Sequence, residues 1–209
     1  IQLINNGFKN LIPVLDNIDE FNSYDKAVKN RFKIGIRMAT EEIPNYNFYT
    51  SRLGIDPEKI VGYYKNQLAN HPRAELTMLH FFINTGIRDH VYYWNELAKC
   101  LKIFAELKNI CPSLDTLNIG GGLPFKSTLN FNYDYQGFIR AILKEVKTTC
   151  EEYGIKEPNI MTEFGTYTVA EASANIYTVL NEKKQNDRES WYMINNSFMN
   201  TLPDTWGIG

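Results

Sequence analysis

Short apolar segments recur along the chain, and each has the length of a β-strand. They occupy residues 10–16, 32–39, 74–82, 114–119 and 158–164. Longer segments lie between them, with apolar residues every three or four positions, as on one face of a helix. These occupy residues 56–70, 89–110 and 133–154. Strands that alternate with helices predict an α/β fold with a parallel sheet, either a (β/α)₈ barrel or an open doubly wound sheet.

The pattern changes after residue 173. Two segments, 174–183 and 189–201, alternate apolar and polar residues and are rich in aromatic and β-branched side chains. They predict the start of an antiparallel β domain. We therefore expect an α/β domain over 1–173 and the beginning of a C-terminal β domain over 174–209. Because the chain opens at Ile1 without Met and in a pattern typical of mid-helix, we expect it to be a piece of a longer protein.

The overall composition narrows the possible partners. The formal net charge is −2, so the sequence offers no electrostatic reason to expect binding to nucleic acid or to an anionic membrane. No apolar run reaches the roughly 18 residues of a membrane span, and no signal peptide is visible. Cys100, Cys111 and Cys150 lie far apart without metal-binding spacing, which argues against a disulfide framework and a zinc site. A cytoplasmic location is the resulting expectation.

The segment LNIGGGLPF places three consecutive glycines, Gly120, Gly121 and Gly122, at the end of a predicted strand. In both candidate folds, ligands bind at the carboxyl ends of parallel strands. Without Cβ atoms, successive N–H groups can converge on an anion, so one interpretation is a phosphate site. The alternative is a flexible loop or a tight turn. The spacing fits neither the dinucleotide-binding GxGxxG motif nor a Walker loop.

Three other strand ends carry polar or aromatic groups. Glu163 follows the apolar PNIM and either holds a protonated ring nitrogen or forms a salt bridge at the rim, and Gly165 beyond it could let backbone approach the same phosphate. His80 and Phe82 share one strand face. His80 is either a hydrogen-bonded core residue or a site residue, and Phe82 either packs or offers its face to a flat ring. Arg37 either points at an acceptor in the barrel mouth or forms a structural ion pair.

These strand ends resemble motifs of a known family, the fold-type III pyridoxal-phosphate decarboxylases of arginine, ornithine and diaminopimelate. LNIGGGLPF resembles the family's glycine-rich phosphate loop, and TEFGT resembles its Glu-x-Gly-Arg segment. MLHFFINTG resembles its strand ending in HFHxGSQ, and SRLGI its KFG segment. NSFMNTLPDTWGIG resembles its Ser-Leu-Pro-Asp-Ala-Trp region. The motifs follow the family's order over nearly the whole chain, and they look like those of the arginine decarboxylases in particular.

The resemblance implies a partial (β/α)₈ barrel of the alanine racemase type and pyridoxal 5'-phosphate as cofactor. It implies that backbone N–H groups of the three glycines and of Gly165 bind the phosphate. Thr85 stands where the family has a phosphate-binding Ser. Glu163 would pair with the pyridinium nitrogen, which keeps the ring an electron sink. Arg37 would lie near the ring's phenolic side, and Asp204 stands where the family has an acidic residue close to the substrate's distal amine.

Two positions depart from the family pattern. Phe82 stands where the family has a stacking His, and a phenyl ring can stack but cannot donate a hydrogen bond. Thr166 stands where the family has Arg, so a hydroxyl replaces a full charge beside the phosphate. His80, Phe82 and Thr166 remain candidate cofactor contacts. The departures bear on rate and substrate preference more than on the cofactor.

The resemblance implies decarboxylation of a basic amino acid, L-arginine to agmatine for polyamine synthesis, in a homodimer or higher oligomer with shared sites. Ornithine, diaminopimelate or carboxynorspermidine is an alternative substrate. A catalytically silent homologue that regulates partners is an alternative of another class. The family's Schiff-base lysine would precede Ile1, and its Cys-Asp pair would follow Gly209. We therefore expect no catalytic residue within this chain and no decarboxylation by it alone.

Overall fold

The computed structural model describes residues 1–41, 52–83, 87, 90–126, 130–172 and 174–201. The chain separates into two compact units, Ile1–Ala170 and Glu171–Gly209. The first unit contains a parallel sheet with its helices, and the second contains an antiparallel pair of strands. Among the described residues, no helix combines the length and the apolarity that crossing a membrane requires.

Five parallel strands form the sheet of the first unit. They are β1 (Val14–Leu15), β2 (Phe32–Met38), β3 (Ala74–Phe81), β4 (Thr116–Asn118) and β5 (Asn159–Met161). Their order in space follows their order in the chain. A doubly wound sheet reverses its strand order at a switch point, whereas successive strands of a (β/α)₈ barrel do not. The sequential order therefore selects the barrel arrangement over the open sheet.

Helices precede, connect and follow the strands. They are α1 (Gln2–Asn5), α2 (Glu20–Ala27), α3 (Pro57–Tyr63), α4 (His90–Lys108), α5 (Tyr135–Tyr153) and α6 (Gly165–Val169), and a π-helical turn (Tyr64–Leu68) continues α3. The side chain of Asp56 accepts a hydrogen bond from the N–H of Glu58 at 3.0 Å, and Pro57 occupies the first turn, so α3 begins as predicted. Gly154 ends α5 in the left-handed conformation, with φ of 63°.

The core lies between the sheet and the apolar faces of the helices. The buried residues of α5 are Phe138, Ile142, Val146 and Cys150, one every four positions. In α4, Leu97, Leu101, Phe104 and Leu107 are buried in the same way. β2 and β3 are buried along most of their length, as expected for parallel strands covered on both faces. This packing fixes the carboxyl ends of the strands, where the candidate site lies.

The second unit contains β6 (Val179–Lys184) and β7 (Ser190–Ile194), which pair antiparallel, and the short helix α7 (Phe198–Thr201). The two strands lie inside the segments that the alternating pattern indicates, 174–183 and 189–201, apart from one residue at the end of β6. Their antiparallel pairing confirms that prediction. The side chains of both strands are exposed, including Trp191 and Tyr192.

Candidate active site

A single row of side chains crosses the sheet near the carboxyl ends of its strands. The strand register pairs Arg37 of β2 with His80 of β3, His80 with Asn118 of β4, and Asn118 with Met161 of β5. Residues paired in this way project from the same face of a sheet. His80 and Asn118 are buried, with 6% and 5% of their surfaces exposed. The row therefore brings a cation, an imidazole and an amide together from three strands.

Glu163 lies two residues beyond β5 and completes the row. Its Oε1 accepts a hydrogen bond from Asn118 Nδ2 at 2.9 Å and lies 3.5 Å from His80 Nε2. Its backbone N–H donates to the carbonyl of Gly120 at 2.8 Å. About half of its side chain, 49%, is exposed. In the described part of the chain, Glu163 pairs with no Lys or Arg, so the rim salt bridge that the sequence left open does not form there.

His80 has an unusual environment for a histidine. Burial lowers its pKa, the negative charge of Glu163 opposes that shift, and the positive charge of Arg37 adds to it. The imidazole is therefore neutral near pH 7. Its Nε2 is buried and has no hydrogen-bond partner among the residues that the structure describes. His80 is thus neither a satisfied core residue nor an ordinary ion-pair partner.

Arg37 and Phe82 contact each other beside His80. The guanidinium carbon of Arg37 lies 5.5 Å from the centroid of the Phe82 ring, a cation–π distance. One terminal nitrogen of Arg37, Nη2, is buried and without a hydrogen-bond partner in the described ranges. A buried cationic donor that lacks an acceptor is suited to an anionic or polar ligand group.

Close packing against neighbouring backbone explains in part why these three positions are glycine. A Cβ on Gly120 would lie 2.6 Å from the carbonyl oxygen of Phe81, and Gly120 has a φ of +66°. A Cβ on Gly121 would lie 2.5 Å from the carbonyl oxygen of Glu163. Gly122 also has a positive φ, of +91°. The ends of β3 and β5 therefore exclude side chains at the first two glycines, and φ disfavours one at the third.

Two of the predicted phosphate donors are already bonded within the chain. The N–H of Gly120 donates to Asn118 Oδ1 at 2.9 Å, and the N–H of Gly165 donates to the carbonyl of Glu163 at 2.7 Å. These bonds correct the expectation that both groups are free for a phosphate, because each N–H has one hydrogen to donate. No described residue accepts a hydrogen bond from the N–H of Gly121 or Gly122. Those two remain the open donors of the run.

Three other predicted site residues are Thr166, Thr85 and Asp204. Thr166 is exposed in the first turn of α6. Thr85 and Asp204 lie outside the described residues. Asn118 is a site residue that the sequence analysis missed, although a signal was present. A polar side chain at the end of a buried strand, two positions before the glycine run, requires hydrogen-bond partners.

Comparison with known proteins identifies the family. The family model described as pyridoxal-dependent decarboxylase, pyridoxal binding domain, matches residues 4–170. A biosynthetic arginine decarboxylase of Geotalea uraniireducens is 32% identical over 116 residues, which cover 52% of this chain and 18% of that protein. The chain spans less than a third of the length of the curated relatives that it matches.

Solved structures confirm the fold. A diaminopimelate decarboxylase from M. jannaschii, in complex with L-lysine, superposes with a TM-score of 0.72 at 19% identity, covering 90% of this chain and 45% of that one. The biosynthetic arginine decarboxylase of Campylobacter jejuni gives a TM-score of 0.59 at 22% identity, covering 79% of this chain and 30% of that one. The sequential parallel strands of this chain therefore share the fold of these two decarboxylase structures.

The geometry of the strand ends fits the pyridoxal phosphate that the family implies. The unpaired Nη2 of Arg37 and the open N–H groups of Gly121 and Gly122 suit a ligand that carries negative charge. The half-exposed carboxylate of Glu163 suits a protonated ring nitrogen. With the family model matching four-fifths of its length and these groups at its strand ends, the chain belongs to the pyridoxal-dependent decarboxylases, and residues 4–170 are part of their pyridoxal binding domain.

Proposed function

We propose that the protein is a pyridoxal-phosphate-dependent decarboxylase of a basic amino acid, with L-arginine as substrate and agmatine and CO₂ as products. The observation that carries the proposal is the Glu163 carboxylate, held by Asn118 at the strand ends beside the neutral His80. Arginine is favoured because relatives that match this chain are named biosynthetic arginine decarboxylase. On that substrate the enzyme would supply polyamine synthesis.

Glu163 has the central role in this proposal. Its carboxylate would accept a hydrogen bond from the ring nitrogen of pyridoxal and so keep that nitrogen protonated. When bound, the cofactor supplies an electron sink for the electron pair that the departing CO₂ leaves on the substrate's α-carbon. A neutral imidazole suits His80 at this position, because a second cation beside Glu163 would compete with the ring nitrogen for the same carboxylate.

The remaining groups would bind and orient. The N–H groups of Gly121 and Gly122 would donate to the phosphate, and Gly120 would shape the turn that presents them. Phe82 would lie against the ring, and its contact with Arg37 holds both side chains in place. Arg37 would direct its unpaired nitrogen at an oxygen of the ligand. Thr85, Thr166 and Asp204 stay predicted contacts of the cofactor or the substrate. Cytoplasmic location and assembly into a homo-oligomer stay proposals.

The proposal is tested with the full-length protein and pyridoxal phosphate. Arginine, ornithine, lysine and diaminopimelate are offered separately, and CO₂ and the amine product are measured. Agmatine from arginine alone supports the proposal. Cofactor binding with another preferred amino acid keeps the site and changes the substrate. Neither cofactor binding nor product contradicts it.

Glu163→Gln tests the central residue. Gln keeps the size of the side chain and a hydrogen-bond acceptor but removes the charge that holds a protonated nitrogen. We expect kcat to fall by about 100-fold or more, with Tm within a few degrees of the wild-type value. Glu152→Gln, on the exposed face of α5, is the matched control and should leave kcat unchanged. Wild-type turnover in Glu163→Gln would contradict the assignment.

Two departures favour a second candidate, a homologue that no longer catalyses decarboxylation and regulates partners instead. Phe82 cannot donate the hydrogen bond of the family's His, and Thr166 lacks the charge of the family's Arg. This candidate predicts weak or absent binding of pyridoxal phosphate. An absorbance titration of the wild-type protein with the cofactor distinguishes it from the enzyme before any variant is made.

A further inference from the structure

We infer that Asn118 is a positioning residue that joins the Glu163 carboxylate to the glycine run in one hydrogen-bonded unit. The inference rests on the proposed function, because it assigns Asn118 the task of aligning two parts of the site that would hold the same cofactor. Asn118 touches neither the cofactor nor the substrate in this proposal. It acts through Glu163 and Gly120.

Three hydrogen bonds form a closed circuit through these residues. Asn118 Nδ2 donates to Glu163 Oε1 at 2.9 Å, and Asn118 Oδ1 accepts from the N–H of Gly120 at 2.9 Å. The carbonyl of Gly120 in turn accepts from the backbone N–H of Glu163 at 2.8 Å. Glu163 and Gly120 are thus connected twice, once through the side chain of Asn118 and once through a direct backbone hydrogen bond.

The orientation of the amide follows from its partners. A backbone N–H can only donate, so the oxygen of Asn118 must face Gly120. The NH₂ group then faces Glu163, whose ionised carboxylate can only accept. The position requires one donor and one acceptor on a flat, buried side chain, and Asn118 is 5% exposed. An aspartate would place a second carboxylate against Glu163, and a leucine would leave the Gly120 N–H without its partner.

The circuit matters because Glu163 is otherwise free to turn. About half of its side chain is exposed, and no Lys or Arg in the described part of the chain holds it. A long carboxylate side chain in water samples several rotamers. The amide of Asn118 selects the Glu163 rotamer that keeps Oε1 beside Asn118 and His80. The same amide also holds Gly120, the first residue of the glycine run, in place. A change at Glu163 would therefore alter the position of Gly120, and a change at Gly120 would alter that of Glu163.

A donor–acceptor exchange tests the circuit in the full-length protein without cofactor. Asn118→Asp should lower Tm and weaken the hydrogen-exchange protection of the Gly120 and Glu163 amides, because two carboxylates then face each other. Adding Glu163→Gln should restore most of the lost Tm and of the lost hydrogen-exchange protection. The introduced glutamine amide can donate to the new aspartate, and that aspartate still accepts from the N–H of Gly120. A double variant no more stable than Asn118→Asp overturns the circuit.

The positioning role is tested by turnover of the protein loaded with pyridoxal phosphate. We expect Asn118→Leu to lower kcat by about tenfold or more, as misplacement of a catalytic group does, while KM changes by less than about threefold. Thr116→Val, two residues earlier on β4, is the control and should change neither. Wild-type kcat in Asn118→Leu overturns the inference. Failure of the proposed function appears instead in the wild-type protein, as absence of amine product from every amino acid offered.

Discussion

At the scale of the residue, His80 reports the charges around the site. Burial lowers its pKa, Glu163 opposes the shift, and Arg37 adds to it. We expect Glu163→Gln to lower the pKa of His80 further, because a neighbouring negative charge is lost, and Arg37→Gln to raise it. NMR titration of the carbon-bound protons of the buried imidazole measures both, with His71 and His90 in the same spectra as controls outside the site. Shifts of the same sign in the two variants would contradict this account.

The same residue makes stability depend on pH. Because the folded-state pKa of His80 lies below the ordinary value of about 6.5, the unfolded chain takes up a proton first as the pH falls. Stability is therefore retained above about pH 6.5 and lost as the pH falls below it towards the folded-state pKa. His80→Gln should remove this part of the acid sensitivity, which urea unfolding at a series of pH values measures. An unchanged pH profile would show that His80 is not the group responsible.

At the scale of the element, Ala substitutions at two glycines distinguish the effect of close backbone packing on stability from the effect of helix propensity. A Cβ on Gly121 would lie 2.5 Å from the carbonyl of Glu163, whereas a Cβ on Gly62, within α3, would meet no atom within 4 Å. We expect Gly121→Ala to lower the free energy of unfolding by about 1–3 kcal/mol, as overpacking does. Gly62→Ala should raise it by about 0.5–1 kcal/mol, because Ala loses less conformational freedom in a helix.

Denaturant unfolding of both variants checks this pair. Since the two substitutions add the same methyl group, any general effect of Ala cancels in the comparison. Equal stabilities would mean that the loop after β4 moves away from β5 without strain. The close approach of these elements would then not explain why Gly121 lacks a side chain.

The helices were the most predictable elements, because their signals are local. Asp56 and Pro57 mark the start of α3, and the four-residue spacing from Phe138 to Cys150 marks the buried face of α5. The short helices α2 and α6 were not predicted. Neither has a side-chain cap, α2 buries one residue, Phe21, and α6 buries none. The predicted strands were longer than those observed, because apolar residues do not stop where the strand does: Leu114 and Ile119, on either side of β4, are buried as well.

The site was predictable only in part, because its hydrogen bonds join distant positions. The sequence identifies Glu163 and the glycine run, each at the end of a strand. It does not reveal that Asn118 and Glu163, 45 positions apart, share a hydrogen bond. It also does not reveal which N–H groups remain open, since that depends on where the amide of Asn118 and the carbonyl of Glu163 lie. Which distant residues are bonded, and which N–H groups stay open, is set by how the strands pair across the sheet, and a single sequence does not specify that pairing.

At the scale of the whole molecule, one core holds the elements that build the site. Arg37, His80, Asn118 and Glu163 come from four strands or the loops that follow them, and the order of these strands brings their ends together. Their relative positions depend on the helices that cover the sheet. The site should therefore be lost when any one of these helices leaves the core.

The three cysteines can test whether the core opens as one unit. Cys100 lies in α4, Cys111 follows that helix, and Cys150 lies in α5; each is free and at most 1% exposed. Burial raises the pKa of the Cys100 and Cys150 thiols, which further slows their reaction as thiolates. We expect the native protein to react slowly with a thiol reagent, and all three sites to be labelled at one common rate set by unfolding.

Mass spectrometry of the labelled peptides from the full-length protein measures the three rates separately, and a sample in denaturant gives the rates for exposed thiols. A common rate that rises with denaturant in step with loss of helical signal means that α4, α5 and the sheet that they cover open cooperatively. Earlier labelling of Cys150 alone would mean that α5 leaves the core by itself. The strand ends that hold Asn118 and Glu163 would then lose their support on that side while the rest of the sheet stays folded, and turnover would fall before global unfolding.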